Sequence, residues 1–188
     1  MEYQTFIFNS HKIYKTKIFD LDINSIINEY YINEEYYRKI MNADIIMSPN
    51  IRKMYLACYQ ATENIYKKEL NKEIISGYQS GWFFKSTPLE NTGEFHNHLT
   101  LSRNYSEIKS DYVWTFYLIV PNNCTGNQGH LIFKDTNGDE FSIEPEEGFL
   151  YVFKSDLLHR GNESLNSTKD RLLAVANIAF NFGKKIVY

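Results

Sequence analysis

The part of the chain after Leu70 constrains the fold most, because it is predicted to be a succession of short strands separated by turn-forming residues. Helical periodicity ends there, and the breaks between apolar runs carry turn residues, as in Pro121-Asn122-Asn123. Several short strands with turns at this interval are typical of a β-sandwich or a double-stranded β-helix barrel. The predicted strands are residues 74–86, 94–101, 112–120, 129–134, 140–143, 149–153 and 171–182.

The first 70 residues are predicted to form two strands followed by three helices. Residues 3–8 and 12–19 alternate in polarity as strands do, and a second helix is expected near residues 34–42. Asp20 or Asp22 is the candidate N-cap of the first helix, which runs through Tyr30.

The third helix carries the clearest helical signal, with Ser48 as its expected N-cap and Pro49 in its first turn. Its apolar residues recur at helical spacing, so we expect this face to pack on a sheet. These residues are Ile51, Met54, Tyr55, Cys58, Thr62, Ile65 and Tyr66.

The sequence therefore predicts a mainly β protein with flanking α-helices: a double-stranded β-helix (jelly roll, cupin-like) buttressed by N-terminal helices. Its 188 residues suffice for one well-buried core and are few for two, so residues 1–188 are expected to form a single domain. Within it, residues 1–70 would support a jelly-roll core of residues 71–188.

Charge, hydropathy and cysteine spacing argue against a nucleic-acid partner, a membrane partner and a thiolate metal site. A formal net charge of -3 gives no sign of a nucleic-acid partner. No segment resembles a signal peptide or a membrane span, so the expectation is a soluble, cytoplasmic protein without a membrane partner. Cys58 and Cys124 lie far apart and outside any CxxC motif, which argues against a thiolate metal site.

A His-x-His pair, His96 and His98, lies within the predicted strand 94–101. Side chains at i and i+2 leave the same face of a strand, roughly 6.5–7 Å apart, so two imidazoles there can converge on one metal ion. His159, after the apolar strand 149–153, is the best candidate for a third ligand. Imidazole suits iron, zinc, nickel and copper alike, and the alternative is that these are ordinary core or surface histidines.

Arg171 opens the last apolar strand, which would carry its side chain toward the core. A buried arginine needs an anion, and a co-substrate carboxylate would satisfy it with two hydrogen bonds. The alternative is a surface salt bridge, since Lys169 and Asp170 precede it. Asn177 lies an even number of residues further along the same strand, so it would face the same side and line the site.

With these residues in place, the segment 95–182 resembles the iron(II)/2-oxoglutarate-dependent oxygenases, especially the prolyl-4-hydroxylase-like branch and its small phage-encoded relatives. Trp114-Thr115-Phe116-Tyr117-Leu118 resembles the family strand whose tyrosine, here Tyr117, contacts the 2-oxoglutarate carboxylate. The run from Ile143-Glu144-Pro145 to His159 resembles the family's approach to its distal histidine, and Gln128-Gly129-His130-Leu131-Ile132-Phe133 resembles the glycine-containing strand before it.

The sequence departs from the family pattern at His98, where aspartate is usual. The resemblance then implies His96, His98 and His159 as metal ligands, with Arg171, Tyr117 and Asn177 facing the co-substrate. Two alternatives stay open: His98 lies outside the ligand set, or a carboxylate of Glu94 or Asp135 completes it.

The function implied by the resemblance is an iron(II)- and 2-oxoglutarate-dependent dioxygenase that uses dioxygen to hydroxylate a peptide, a protein or a small molecule, with a prolyl residue favoured. The alternative is a jelly-roll metal-binding protein without oxygenase activity. Substrate contacts are expected at the mouth of the barrel, where residues 102–110 and 78–91, the latter with Trp82 and Phe83, are candidate lids.

Overall fold

The computed structural model describes residues 2–39, 48–71, 73–88, 90, 93–99 and 109–182. No helix in these ranges is both long and apolar enough to cross a membrane. In chain order the elements are β1 (Gln4–Phe8), β2 (His11–Lys17), α1 (Ile23–Ile32), α2 (Glu34–Lys39), α3 (Pro49–Leu70), β3 (Ile74–Ser86), β4 (Tyr112–Ile119), β5 (Leu131–Lys134), β6 (Glu140–Ile143), β7 (Phe149–Lys154), β8 (Leu158–Gly161) and β9 (Arg171–Phe182).

The strands form two antiparallel sheets that face each other across a core. The larger sheet has six strands in the order β1-β2-β7-β4-β9-β3, and the smaller has three in the order β6-β5-β8. From β6 to β9, successive strands alternate between the two sheets, as they do in a jelly roll. This arrangement confirms the predicted fold class of a mainly β jelly roll with flanking helices.

The central strands of the larger sheet are buried on both faces, and alternation sends successive side chains into different cores. On β4 and β9, Tyr117 and Val175 pack into the core between the sheets. Trp114 and Ala176 pack on the opposite face, against the helices. A functional group on the inner face is therefore carried by strands whose outer face is packed against the helices.

Helix α3 buttresses the larger sheet, as the periodicity of its sequence predicts. Ile51, Met54 and Cys58 are buried against the outer face of the sheet. The Tyr55 ring lies directly over β3, where a Cβ at Gly81 would overlap it, and its hydroxyl donates to the carbonyl oxygen of Trp82 at 2.9 Å. Both cysteines are free, so no disulfide contributes to this packing.

The helix starts combine local and tertiary capping. Asp22 caps α1, since its carboxylate accepts from the backbone N–H of Ser25 at 3.0 Å. Ser48 occupies the N-cap position of α3, but its hydroxyl donates to Glu29 on α1 instead of capping the helix. Glu29 also accepts from the Asn50 side chain at 2.6 Å, so one carboxylate joins the two helices.

Two strand predictions were wrong. Among described residues 93–99, only His96 takes part in β pairing, as an isolated bridge with His159, so the predicted strand 94–101 does not form over this range. Continued pairing would require the His98 backbone N–H to donate to the carbonyl oxygen of Leu157. It donates instead to the carbonyl oxygen of Ser155, so the pairing ends after the single bridge at His96. The turn before His159, in contrast, leads into a short strand, β8, that the sequence did not reveal.

Most of the first candidate lid, residues 78–91, belongs to a strand. Trp82 and Phe83 belong to the regular strand β3, where Phe83 is buried on the helix side and Trp82 faces inward. Of the second candidate lid, residues 102–110, the structure describes only residues 109 and 110, so the prediction lies largely outside the described residues.

Candidate metal centre

Three histidine rings converge at the inner face of the smaller sheet. The ring centroids of His96 and His159 lie 4.7 Å apart, those of His98 and His159 4.9 Å, and those of His96 and His98 5.1 Å. One ring nitrogen from each lies within 4.8 Å of the others. Three nitrogens this close can bind a single ion on one face, as the sequence hypothesis requires.

Backbone pairing brings the two distant parts of the chain together. The N–H of His96 donates to the His159 carbonyl oxygen at 3.1 Å, and the N–H of His159 donates to the His96 carbonyl oxygen at 2.9 Å. His159 itself lies in β8, which pairs with β5. Its ring packs edge-on against Phe153, at 4.7 Å between centroids, so both its backbone and its side chain are constrained.

Backbone carbonyls orient two of the rings. Nδ1 of His96 lies 3.0 Å from the Glu94 carbonyl oxygen, and Nδ1 of His159 lies 3.0 Å from the Leu157 carbonyl oxygen. A carbonyl oxygen can only accept, so each Nδ1 carries the hydrogen and each Nε2 keeps a lone pair. Hydrogen bonds of this type fix the tautomer and direction of metal-ligating histidines.

His98 is held by side chains instead. Its ring stacks on Trp82, at 5.5 Å and 14° between ring planes, and also on His159, at 4.9 Å and 17°. Its Nε2 is buried and has no hydrogen-bond partner among the described residues. The side chain of Asn177 forms a hydrogen bond with the same ring. A buried nitrogen without a partner is a cost to the fold, and a bound metal ion would remove it.

Burial favours the neutral form of His98 and His159, which is the form that binds metals. Desolvation, together with the nearby His96, lowers the pKa of His98 to about 4, against a smaller opposing effect of the hydrogen bond with Asn177. Burial, and next the neighbouring His98, lowers the pKa of His159 well below its usual value.

Neither alternative carboxylate joins the cluster. Asp135 is used by its own turn, where it accepts from the backbone N–H groups of Asn137 and Asp139 and from the side chain of Asn9. Glu94 contacts His96 through its carbonyl oxygen and has an exposed side chain. Within the described ranges, the three histidines are the only group of three or more His, Cys, Asp or Glu residues that could hold a metal.

The histidines line a cavity of about 110 Å³, whereas one water molecule needs only about 10–15 Å³. Tyr117 and Arg171 line the same cavity, and apolar side chains of β9 complete the wall. Burial raises the pKa of Tyr117 to about 12, with an opposing effect of the Arg171 charge, so its hydroxyl keeps its proton at neutral pH. The cavity therefore combines a nitrogen ligand set, a hydrogen-bond donor and a cation.

Arg171 is 1% exposed and has an incomplete set of partners. Its Nη2 donates to the carbonyl oxygen of Asn162, while Nε and Nη1 have no hydrogen-bond partner in the described part of the chain. Burial lowers the pKa of this guanidinium, although the nearby Tyr117 opposes the shift. A buried guanidinium with two free N–H groups facing a cavity is suited to an anion.

Asn177 lies on the same strand face as Arg171, as predicted, but its structural contact is with His98. Its role toward a co-substrate stays a prediction. Sequence reasoning missed two other residues. Thr115 lines the cavity with a buried hydroxyl that has no partner among the described residues, and Gly161 leaves the space that Arg171 fills. The position of Thr115, two residues before Tyr117 on β4, was the available signal.

By sequence, the chain matches no protein-family model and no curated protein. By structure, it resembles a prolyl-4-hydroxylase of Pseudomonas putida, with a TM-score of 0.60, 17% identity, and coverage of 89% of this chain and 88% of that one. It also resembles the viral collagen prolyl hydroxylase of Paramecium Bursaria Chlorella virus-1, solved as a complex with 2OG. There the TM-score is 0.62 and the identity 15%, with coverage of 88% of this chain and 94% of that one.

A prolyl 4-hydroxylase from Phytophthora capsici is similar over 87% of this chain and 55% of its own, with a TM-score of 0.59 and 13% identity. Three proteins from distant sources thus share one architecture with this chain at low identity. The chain has the fold of the prolyl 4-hydroxylases, which confirms the fold that the sequence resemblance implies.

Proposed function

We propose that residues 1–188 form one oxygenase domain, an iron(II)- and 2-oxoglutarate-dependent dioxygenase that hydroxylates a residue of a peptide or protein. The observation that carries this proposal is the convergence of His96, His98 and His159 in the same cavity as the buried Arg171. A ligand set and an anion anchor occur together on a fold shared with prolyl 4-hydroxylases.

The residues present fit iron(II). Imidazole nitrogens are suitable ligands for it, and three of them on one side of the ion would leave room for a co-substrate and dioxygen. The buried Nε2 of His98, which lacks a partner in the described residues, is the specific feature that a metal would satisfy. When bound, iron(II) and 2-oxoglutarate supply the oxidising chemistry: dioxygen gives one oxygen atom to succinate and one to the new hydroxyl group, with release of carbon dioxide.

Arg171 and Tyr117 would hold the far carboxylate of 2-oxoglutarate. Nε and Nη1 of Arg171, which have no partner among the described residues, are free to donate charge-assisted hydrogen bonds, one of them to this carboxylate. The protonated hydroxyl of Tyr117 can donate another. Thr115, which lines the same cavity, offers a further hydroxyl group.

Apolar side chains would separate the reacting groups from water. Leu173 and Val175 of β9 line the cavity between the arginine and the histidines, and Leu131 of β5 lines it from the smaller sheet. A dry wall strengthens the interaction of Arg171 with an anion and protects a reactive centre from side reactions.

The proposal of a prolyl residue in a peptide or protein as substrate is supported by the similar structures, which are prolyl hydroxylases, one of them a collagen prolyl hydroxylase. A small-molecule substrate is the other possibility within this reaction type. Peptides that differ only in proline content distinguish the two.

One observation favours a second function, that of a jelly-roll metal-binding protein without oxygenase activity. The described ligand set contains three imidazoles and no carboxylate. Such a set leaves the full charge of the ion uncompensated and also occurs in zinc sites. On this view the cavity would hold zinc or nickel, and Arg171 would bind some other anion.

The deciding experiment is anaerobic purification, loading with iron(II), and measurement of succinate formed from 2-oxoglutarate after admission of air, with and without proline-containing peptides. We expect succinate formation that depends on iron and rises with a suitable peptide. Preferential retention of zinc, without measurable affinity for 2-oxoglutarate, would favour the second function.

A further inference from the structure

The backbone around His98 gives its ring little support. The segment of residues 93–99 pairs with the smaller sheet only at His96, and the His98 N–H bonds to a turn carbonyl at Ser155. The rings of His96 and His159 each have an Nδ1 contact with a carbonyl two residues earlier. The contacts that hold the His98 ring are instead with side chains, those of Trp82, Asn177 and His159.

The indole ring of Trp82 stacks nearly parallel to the imidazole ring of His98. The two ring planes differ by 14° and their centroids lie 5.5 Å apart, while the ring of His159 stacks on His98 at 17° and 4.9 Å. The imidazole is thus in nearly parallel contact with two rings. Rotation away from the cluster would require a break in both stacks, and aromatic pairs of this kind contribute beyond the area that they bury.

Trp82 is itself firmly placed. It lies inside the long strand β3, paired with Val175 of β9. Its carbonyl oxygen accepts the hydroxyl of Tyr55 from helix α3, and the neighbouring Gly81 lets the Tyr55 ring pack directly on the strand. The indole therefore has a rigid base in the larger sheet, on the side of the cavity opposite β8.

We infer that Trp82 is a positioning residue that holds His98 in the orientation required for metal binding, in place of the strand pairing that this segment lacks. The inference rests on the proposed metal centre. It assigns to a residue of the larger sheet the task of completing a ligand set whose other two members are tied to the smaller sheet.

The test is the affinity for Co²⁺, an air-stable substitute for iron(II), measured by calorimetry and by the visible absorption of the bound ion. We expect Trp82→Ala to weaken Co²⁺ binding at least about 10-fold, the low end of the effect of losing outer contacts of metal ligands. It should also change the absorption spectrum, which reports the ligands around the ion. Trp82→Phe keeps a stacking ring and should restore affinity to within about 3-fold of the original protein.

Phe84→Ala is the matched control. Phe84 lies two residues further on β3 and lines the same cavity, but it has no ring contact with His96, His98 or His159. Its loss should leave Co²⁺ affinity and spectrum unchanged. Thermal unfolding of the metal-free variants shows whether each one is folded. If Trp82→Ala is not, Trp82→Leu, which keeps an apolar side chain but no ring, carries the test and should show the same loss.

The outcomes separate the inference from the proposed function. Loss of Co²⁺ affinity in Trp82→Ala, with rescue in Trp82→Phe and none lost in Phe84→Ala, supports the role of Trp82. Equal affinity and equal spectra for Trp82→Ala and the original protein overturn that role and leave the metal centre standing. Failure of the original protein to bind Co²⁺ overturns both.

Discussion

The guanidinium of Arg171 occupies the space that a side chain at Gly161 would fill, since a Cβ there would overlap Nη1. Gly161 ends β8, so the proposed metal ligand His159 lies on the same short strand against which the proposed anion-binding residue Arg171 packs. A single added methyl group at this position should therefore act on the arginine and spare the histidine.

We expect Gly161→Ala to weaken 2-oxoglutarate binding about 10-fold or more, because displacement of Nη1 costs one hydrogen bond between charged groups, worth about 1.5–3 kcal/mol. Calorimetry with 2-oxoglutarate on the metal-loaded protein measures this loss. Affinity for Co²⁺ should be unchanged, and a parallel loss of metal binding would show that the substitution disturbs β8 as a whole.

Arg171→Met should abolish 2-oxoglutarate binding and yet raise the stability of the ligand-free protein. The arginine is a buried cation without an ion pair among the described residues, and replacement of buried charges by apolar groups of similar volume is often stabilising by about 1–4 kcal/mol. Thermal unfolding should show a higher midpoint, by about 2–4 °C for each kcal/mol. A lower midpoint would mean that the guanidinium has native partners that stabilise it.

His98→Ala and His159→Ala should each weaken Co²⁺ binding by more than the about 10–100-fold that follows loss of an outer contact. The reason is that each removes one of only three nitrogens in the cluster. His130→Ala, which changes a histidine outside the cluster, is the control. If metal binding survives His98→Ala but not His159→Ala, His98 is not a ligand.

Glu29→Ala should destabilise the protein without an effect on the cavity. Its carboxylate accepts from the backbone N–H of Ile51 and from two side chains at the start of α3, so its loss removes a helix cap worth about 0.5–2 kcal/mol. Chemical denaturation measures the difference. Asn28→Ala, at an exposed neighbouring position on α1, should cost much less, and an equal cost would contradict the capping role.

The longest helix and the longest strands of the fold could be predicted from sequence. Strands β3 and β9 have the predicted bounds: β9 is a mainly apolar run, and β3 combines aromatic residues with small and polar ones at the spacing of a strand. Helix α3 was equally clear, from its proline start and its recurring apolar face. Local pattern and tertiary packing agree in these elements.

The errors lie where contacts with residues distant in sequence determine the local structure. Residues 93–99 have the alternation of a strand, yet a turn at Ser155 takes the N–H of His98 and ends the pairing after one bridge. The short strand β8 has a polar sequence that indicates a loop, and its partner β5 determines its structure. The residue pattern already named His159 as the best partner for His96 and His98, and the family resemblance agreed with it, whereas the support from Trp82 follows from sheet order, which no local pattern contains.

The paired hydrogen bonds between His96 and His159 have a consequence for the choice of ion. Peptide geometry holds the two residues at a separation typical of such antiparallel pairs, with Cα atoms about 5.5 Å apart, whatever occupies the centre. His98 lacks such backbone pairing, so we expect it to be the residue that adjusts to ions of different radius, within the limits set by its stacking contacts. Tolerance for larger or smaller cations would then depend mainly on this one side chain.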